Sequence, residues 1–193
     1  MDTNPVLEAI KSRRAVRSYE DKPVPESAIL TMLEAATYAP SAINLQPWKF
    51  TIITNKAEMK LLSDIAKPGL IRVLPDVGDD ENIIALKKRL LDPNYNIFYN
   101  APLLIFVAGV KSPYAVYDCS MAAQNMMLAA YTLGIGSCWI GTAVPAANDS
   151  NVKQRLGVSE YLDVHAAVIF GYPKDGFPKA PPKRPAEILK RID

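Results

Sequence analysis

Four stretches of this chain carry side chains suited to chemistry. The first is Ser12-Arg13-Arg14-Ala15-Val16-Arg17-Ser18-Tyr19, with three arginines in five residues. A guanidinium fork matches phosphate oxygens two at a time and keeps its charge out of water. In extended backbone, side chains alternate, so Arg13 and Arg17 share a face and Arg14 points away. Two such forks suit a dianionic phosphate, although a solvated basic patch fits the same residues. The second stretch is Ala39-Pro40-Ser41-Ala42-Ile43-Asn44-Leu45-Gln46-Pro47-Trp48. Ser41, Asn44 and Gln46 offer uncharged donors and acceptors that can read a heteroaromatic edge. Pro40 and Pro47 restrict the backbone that carries them. An ordinary capped loop beside a core tryptophan is the plainer reading, and Trp48 reads as packing.

The third stretch is Gly134-Ile135-Gly136-Ser137-Cys138-Trp139-Ile140-Gly141. Its glycines let backbone approach a flat ligand closely. It is no GxGxxG opening a helix, so no dinucleotide fingerprint is present. Alone, it also reads as a helix stop and a turn. The fourth is Lys179-Ala180-Pro181-Pro182-Lys183-Arg184-Pro185, a basic run that is either a solvated face or a return to the first arginines. The chain has no Walker loop, no GxSxG and no histidine–carboxylate pairing with nucleophile or metal spacing. Hydrolase and kinase chemistry are disfavoured. Arginines, glycines and polar loops without an acid–base pair point to a cofactor that does the chemistry.

The elements that must position these stretches follow from periodicity. Asn4 and Pro5 start a short helix to about Ser12, with Val6 and Ile10 on one face. Asp21–Pro25 reads as a turn. Ile29, Met32, Leu33 and Ala36 repeat at helical spacing and predict a helix from Glu26 to Tyr38. Trp48–Thr54 predicts a strand, Lys56–Ala66 a short helix, and Pro68–Asp80 a surface loop or lid. Asn82–Leu91 is helical and Leu103–Gly109 a strand buried on both faces. Tyr114–Leu133 predicts a long central helix, ended by Gly134 and Gly136. Ser137–Ile140 and Val164–Gly171 are strands, and Asp149–Leu156 a capped helix closed by Gly157. The proline-rich extension 172–193 ends in a short predicted helix, Ala186–Arg191, and must lie across another surface. No clean βαβ rhythm appears. A mixed, mostly antiparallel sheet flanked by helices in one α+β domain, residues 1–193, is expected.

Bulk properties bound the partners. The chain has 193 residues, 49% hydrophobic and 22% charged, with a net charge of +2. That charge is too small to argue for nucleic acid or a membrane surface. Asp118, Gln124 and Asn125 interrupt the longest apolar stretch, so a membrane span is not expected. The N-terminus lacks an apolar signal core, and the cytoplasm is the expected location. Cys119 and Cys138 lack CxxC spacing and read as buried thiols; His165, the single histidine, reads as a packed strand residue. No metal site is expected.

Taken in order, these segments resemble the nitroreductase family over nearly the whole chain. The resemblance runs from Glu8–Tyr19 through Glu34-Ala35-Ala36, Ala39-Pro40-Ser41 and Asn44-Leu45-Gln46-Pro47-Trp48. It continues through Gly134–Gly141 and Phe170-Gly171-Tyr172-Pro173 to Lys183-Arg184. It implies a three-layer α+β fold, a homodimer, and FMN in each of two interface sites. By that resemblance Arg13, Arg14 and Arg17 contact the FMN phosphate or pyrimidine edge, Arg14 being the weakest assignment. Lys183 and Arg184 complete the phosphate cage. Pro40, Ser41, Asn44 and Gln46 lie along the isoalloxazine and ribityl, partly in the other subunit's site. Ile140 and Gly141 border the flavin, with the N–H of Gly141, or of a neighbour, at N5. Arg17 supplies positive charge near N1.

The resemblance further implies an NADH- or NADPH-dependent oxidoreductase acting on nitroaromatics, quinones or related small-molecule acceptors by ping-pong transfer. Within the fold, a flavin-destroying or reductively dehalogenating enzyme is the alternative. Outside catalysis, the alternatives are a flavin-binding protein without turnover and a basic interaction module without flavin. Ala15 departs from the serine often found there, which removes one phosphate hydroxyl. The region 68–100 carries no family motif and is expected to set the substrate.

Overall fold

The computed structural model describes residues 4–74, 80–179, 182 and 185–192. Helices α1 (Pro5–Ser12) and α2 (Glu26–Thr37) precede strand β1 (Lys49–Ile53). Helices α3 (Lys56–Val73) and α4 (Glu81–Leu91) lead to β2 (Leu103–Val110) and the long α5 (Ala115–Thr132). Then come β3 (Gly136–Trp139), the short α6 (Val144–Ala147), α7 (Ser150–Leu156) and β4 (Leu162–Gly171). The caps are those the sequence specifies. The Asn4 side chain accepts from the N–H groups of Val6 and Leu7, and that of Asp149 from Asn151 and Val152. Gly157 closes α7 at φ 69°, a left-handed conformation that suits glycine.

The four strands pair antiparallel in the order β1-β2-β4-β3. Both central strands are buried on both sides, and their alternation builds two cores. Leu103, Ile105 and Val107 of β2 join Ala166, Val168 and Phe170 of β4 against α2 and α5. The intervening Leu104, Phe106, Ala167 and Ile169 face α3, α4, α6 and α7. The result is three layers, helix–sheet–helix. In α5, Ala122, Ala123 and Ala130 are fully buried, and their small side chains let the helix lie close to the sheet. Met126 fills the gap between; burying such a side chain is worth roughly 1.5–3 kcal/mol.

The β2–β4 register slips between Val107 and Ala108, which pair with Ala166 and Val164. His165 is the extra residue of this bulge. Asn148 holds the distorted ladder. Its Nδ2 donates to the Val164 carbonyl at 2.8 Å, and its Oδ1 accepts from the Val164 N–H at 2.8 Å. His165 packs in the strand as expected; burial lowers its pKa, against the raising effect of Asp163. Cys119 and Cys138 are buried free thiols.

Three expectations change. The helix placed at Lys56–Ala66 runs on to Val73, straight through Pro68, where a loop was expected. Proline removes one helix hydrogen bond, yet Leu70, Ile71 and Leu74 beyond it pack against the lower core. That apolar contact outweighs the local break. Of the expected loop, residues 75–79 lie outside the described residues. Second, Ala186–Arg191 is not helical. Ile188, Leu189 and Ile192 there are 69%, 94% and 82% exposed, so no packing supports a helix this short. Third, every named strand pair is antiparallel; the parallel element among the described residues is an isolated bridge, Ala15 to Ser137.

Candidate active site

The first arginine stretch leaves α1 in extended form and lies along the free edge of β3. The Val16 N–H donates to the Ser137 carbonyl at 3.0 Å, and further on Glu20 N–H donates to Tyr172 O at 2.9 Å. The Tyr19 hydroxyl folds back to the Val16 carbonyl at 2.6 Å. Two glycines make room for this crossing. A Cβ at Gly136 would sit 2.6 Å from Val16 Cγ2, and one at Gly171 would sit 2.8 Å from Tyr19 Cδ1. So Gly136 of the third stretch and Gly171 at the end of β4 both serve the first.

Arg13 and Arg17 both act electrostatically on the Cys138 thiol. Burial raises the Cys138 pKa, and the two arginines oppose it. Burial lowers the Arg13 pKa, with neighbouring Arg14 adding to that and Cys138 opposing. Arg14 turns back onto the end of α1. It donates to the Lys11 carbonyl at 2.6 Å and to the Arg13 carbonyl, which caps the C-terminus of α1.

Arg17, Ile140 and Gly141 line one cavity of about 330 Å³ at the C-terminal end of β3. Gly141 opens a single 3₁₀ turn, Gly141–Ala143, so its N–H is of the kind a helix start leaves without an intrahelical acceptor. The opposite wall comes from the region sequence reasoning left without a motif. Tyr95 and Tyr99 stand edge to face with ring centres 6.2 Å apart, and the Arg17 Cζ lies 5.9 Å from the Tyr99 ring centre. Burial, then the hydrogen bond to Tyr99, pushes the Tyr95 hydroxyl up to about 12. Leu70, Leu74 and Leu86 of α3, α4 and their junction finish the wall. The signal for these residues was the i, i+4 repeat of Tyr and Asn in Tyr95–Asn100, but nothing local ties it to Arg17.

Behind that wall, buried Lys67 donates to Asp64 at 3.0 Å and to the Asp92 carbonyl at 3.1 Å. Ser63 accepts from the buried Ile97 N–H at 3.0 Å. One face of α3 thereby fixes the turn that carries both tyrosines.

The second stretch lies elsewhere. Pro40, Ser41, Asn44 and Gln46 do not line this cavity; their loop sits by the start of α5. Ser41 Oγ accepts from the Gln46 N–H at 3.0 Å, and the Gln46 amide donates to Asn44 Oδ1 at 2.9 Å. Ile43 at the loop's tip is 91% exposed. Apolar residues of α1 and α5 are exposed too, among them Val6, Ile10, Tyr114 and Tyr117. Lys183 and Arg184, expected to complete a phosphate cage, lie outside the described residues.

The Nitroreductase family pattern matches residues 10–172. The chain belongs to the nitroreductase family. A solved nitroreductase with bound FMN from Bacteroides fragilis is 34% identical, covers 99% of this chain and all of its own, and superposes with a TM-score of 0.82. An Archaeoglobus fulgidus protein is 33% identical over 171 residues, 88% of this chain and 86% of its own. Its name pairs NADH dehydrogenase with NAD(P)H nitroreductase. The nitrobenzene nitroreductase of Ectopseudomonas oleovorans is 30% identical over 72% of this chain and 74% of its own length. The three-layer α+β architecture is thus that of a nitroreductase. No helix among the described residues is long and apolar enough to cross a membrane.

Proposed function

We propose that this chain is an FMN-dependent NAD(P)H oxidoreductase, a homodimer that reduces nitroaromatic, quinone or related flat acceptors. The observation that carries the reading is the convergence of Arg17, Ile140 and Gly141 on one apolar-walled cavity. The donor set fits a flavin. It offers a fixed cation, a backbone N–H with no Cβ in front of it, and aromatic walls, without an acid–base pair. When bound, FMN supplies the hydride-accepting and hydride-donating chemistry that no side chain here can perform.

The residues have separate tasks. Arg17 places positive charge where a reduced flavin carries negative charge, and low-dielectric walls strengthen the attraction. The Gly141 N–H orients the reacting edge. Arg13 holds the phosphate end, with Lys183 and Arg184 as its proposed companions. Arg14 is left out of this set, because its guanidinium already serves the carbonyls of α1. Leu70, Leu74 and Leu86 exclude water from the cavity. Donor and acceptor share that cavity in turn, so initial-rate plots at several acceptor concentrations should be parallel.

The dimer is supported by where the second stretch sits. Ser41, Asn44 and Gln46 do not line their own chain's cavity and lie beside the exposed Ile43 and Leu45. In a two-fold pair they reach the other subunit's flavin, and the extended tail after Tyr172 crosses the partner. The absorption spectrum tests the reading. The purified protein should be yellow, or become so with FMN, and should bleach with NADPH in the absence of oxygen. Arg17→Ala should lose flavin or lower its potential. A colourless protein that cannot be reconstituted with FMN would refute the proposal.

A further inference from the structure

Asp118 lies in the first turn of α5 and is only 3% exposed. Its Oδ1 accepts the Ala42 N–H at 3.1 Å, a contact between residues far apart in sequence. Its Oδ2 is buried and has no donor. The start of α5 favours a negative charge, which makes the buried carboxylate tolerable. A buried carboxylate with an unmet oxygen is still an expensive way to fill space.

What it holds is a strained loop. Ile43, Asn44 and Gln46 have φ of 46°, 57° and 46°, in the left-handed region that non-glycine residues avoid and β-branched ones avoid most. Strain of this kind persists only where surroundings over-determine it. The loop's other hydrogen bonds among the described residues are internal: Gln46 to Ser41, Gln46 to Asn44, and two turn bonds. The Ala42–Asp118 bond is what ties that knot to the body of the protein.

We propose that Asp118 is a positioning residue that fixes the Ser41–Gln46 loop in its cofactor-reading form. The inference rests on the flavin reading above. Asp118 touches neither flavin nor acceptor; it acts through the orientation of Ser41, Asn44 and Gln46. A residue kept for stability alone would not carry an orphaned charge, so removing it should separate stability from cofactor affinity.

Two variants and two measurements test this. Asp118→Leu keeps the volume and removes the acceptor, while Asp118→Asn keeps an acceptor for Ala42. FMN affinity is read by fluorescence titration, and hydrogen exchange of residues 41–46 is read in the flavin-free protein. In Asp118→Leu the FMN Kd should rise by about tenfold or more and loop exchange should quicken, with no fall in thermal midpoint. Asp118→Asn should stay within about threefold of wild type on both measures. Should the leucine variant not fold, Ala42→Pro deletes the donor instead. Proline is tolerated at the first position of a helical turn, and this variant should weaken FMN similarly. Wild-type affinity and loop exchange in the leucine or proline variant would overturn the role, as would an asparagine variant as weak as the leucine one. A wild-type protein that takes up no FMN would overturn the flavin reading itself.

Discussion

Gly136→Ala is the sharpest test of how the arginine segment is held. The added methyl would lie 2.6 Å from Val16 Cγ2, 2.8 Å from Val16 Cβ and 3.1 Å from Pro173 Cγ. Carbon atoms pack at about 3.5–4.0 Å, so the first two contacts are severe. Val16 is 2% exposed and cannot swing into solvent. The segment must therefore lift from β3. Overpacking of this kind costs about 1–3 kcal/mol. Losing the Val16–Ser137 hydrogen bond adds about 0.5–1.5 kcal/mol. The steric term dominates, and the total is about 1.5–4.5 kcal/mol. Arg13 and Arg17 ride on the lifted segment, so most of that sum should appear in cofactor affinity.

FMN titrated into the flavin-free variant should bind about 10–100-fold more weakly than wild type, at 1.4 kcal/mol per decade. Val16→Gly removes both offending Val16 atoms. Combined with Gly136→Ala it should recover affinity, with a coupling of about 1 kcal/mol or more in a double-mutant cycle. Gly136→Ala with FMN affinity within about threefold of wild type, or a cycle without coupling, would refute the reasoning.

Two further outcomes follow from the lower layer. Lys153 is 3% exposed, and its Nζ lies 2.8 Å from Asp163 Oδ1. Asp163→Asn strands that ammonium and should cost about 2 kcal/mol in urea unfolding, less than a fully buried pair because Asp163 is 37% exposed. The hydrogen bond from Lys153 holds the Asp163 pKa below its ordinary 3.8, so this stabilisation is complete above that value. It is lost as pH falls through the lowered pKa, and the gap between wild type and variant should close on acidification. Asn148→Ala leaves the Val164 N–H and carbonyl at the bulge without partners and should lower stability by about 2 kcal/mol, measured the same way. An unchanged midpoint would show that water replaces the amide there.

The sequence made the framework legible where local signals agreed. Asn4, Asp149 and Gly157 mark their helix ends by side-chain type alone, and the unbroken apolar run Leu103–Gly109 announced a doubly buried strand. The common action of Arg13 and Arg17 on Cys138 is what their i, i+4 spacing in an extended segment would allow. The region 68–100 was harder. Pro68 argues for a break, and only the packing of Leu70 and Leu74 on a core assembled from distant strands overrides it. Tyr95 and Tyr99 were missed as cavity residues for the same reason, since their partner Arg17 lies far away in sequence. The proposed sharing of the site between subunits came only through family resemblance, because nothing in Ser41–Gln46 says which chain's cavity it serves.

Strand β3 has just four residues and forms one margin of the sheet. The Arg13–Tyr19 segment runs along that margin, bonded at Val16 and bridged at Ala15. The same residues that are proposed to grip an anion therefore also shield a bare row of peptide groups from pairing with foreign strands. A chain trimmed of its first nineteen residues would lose that cover, and self-association should set in along with loss of colour.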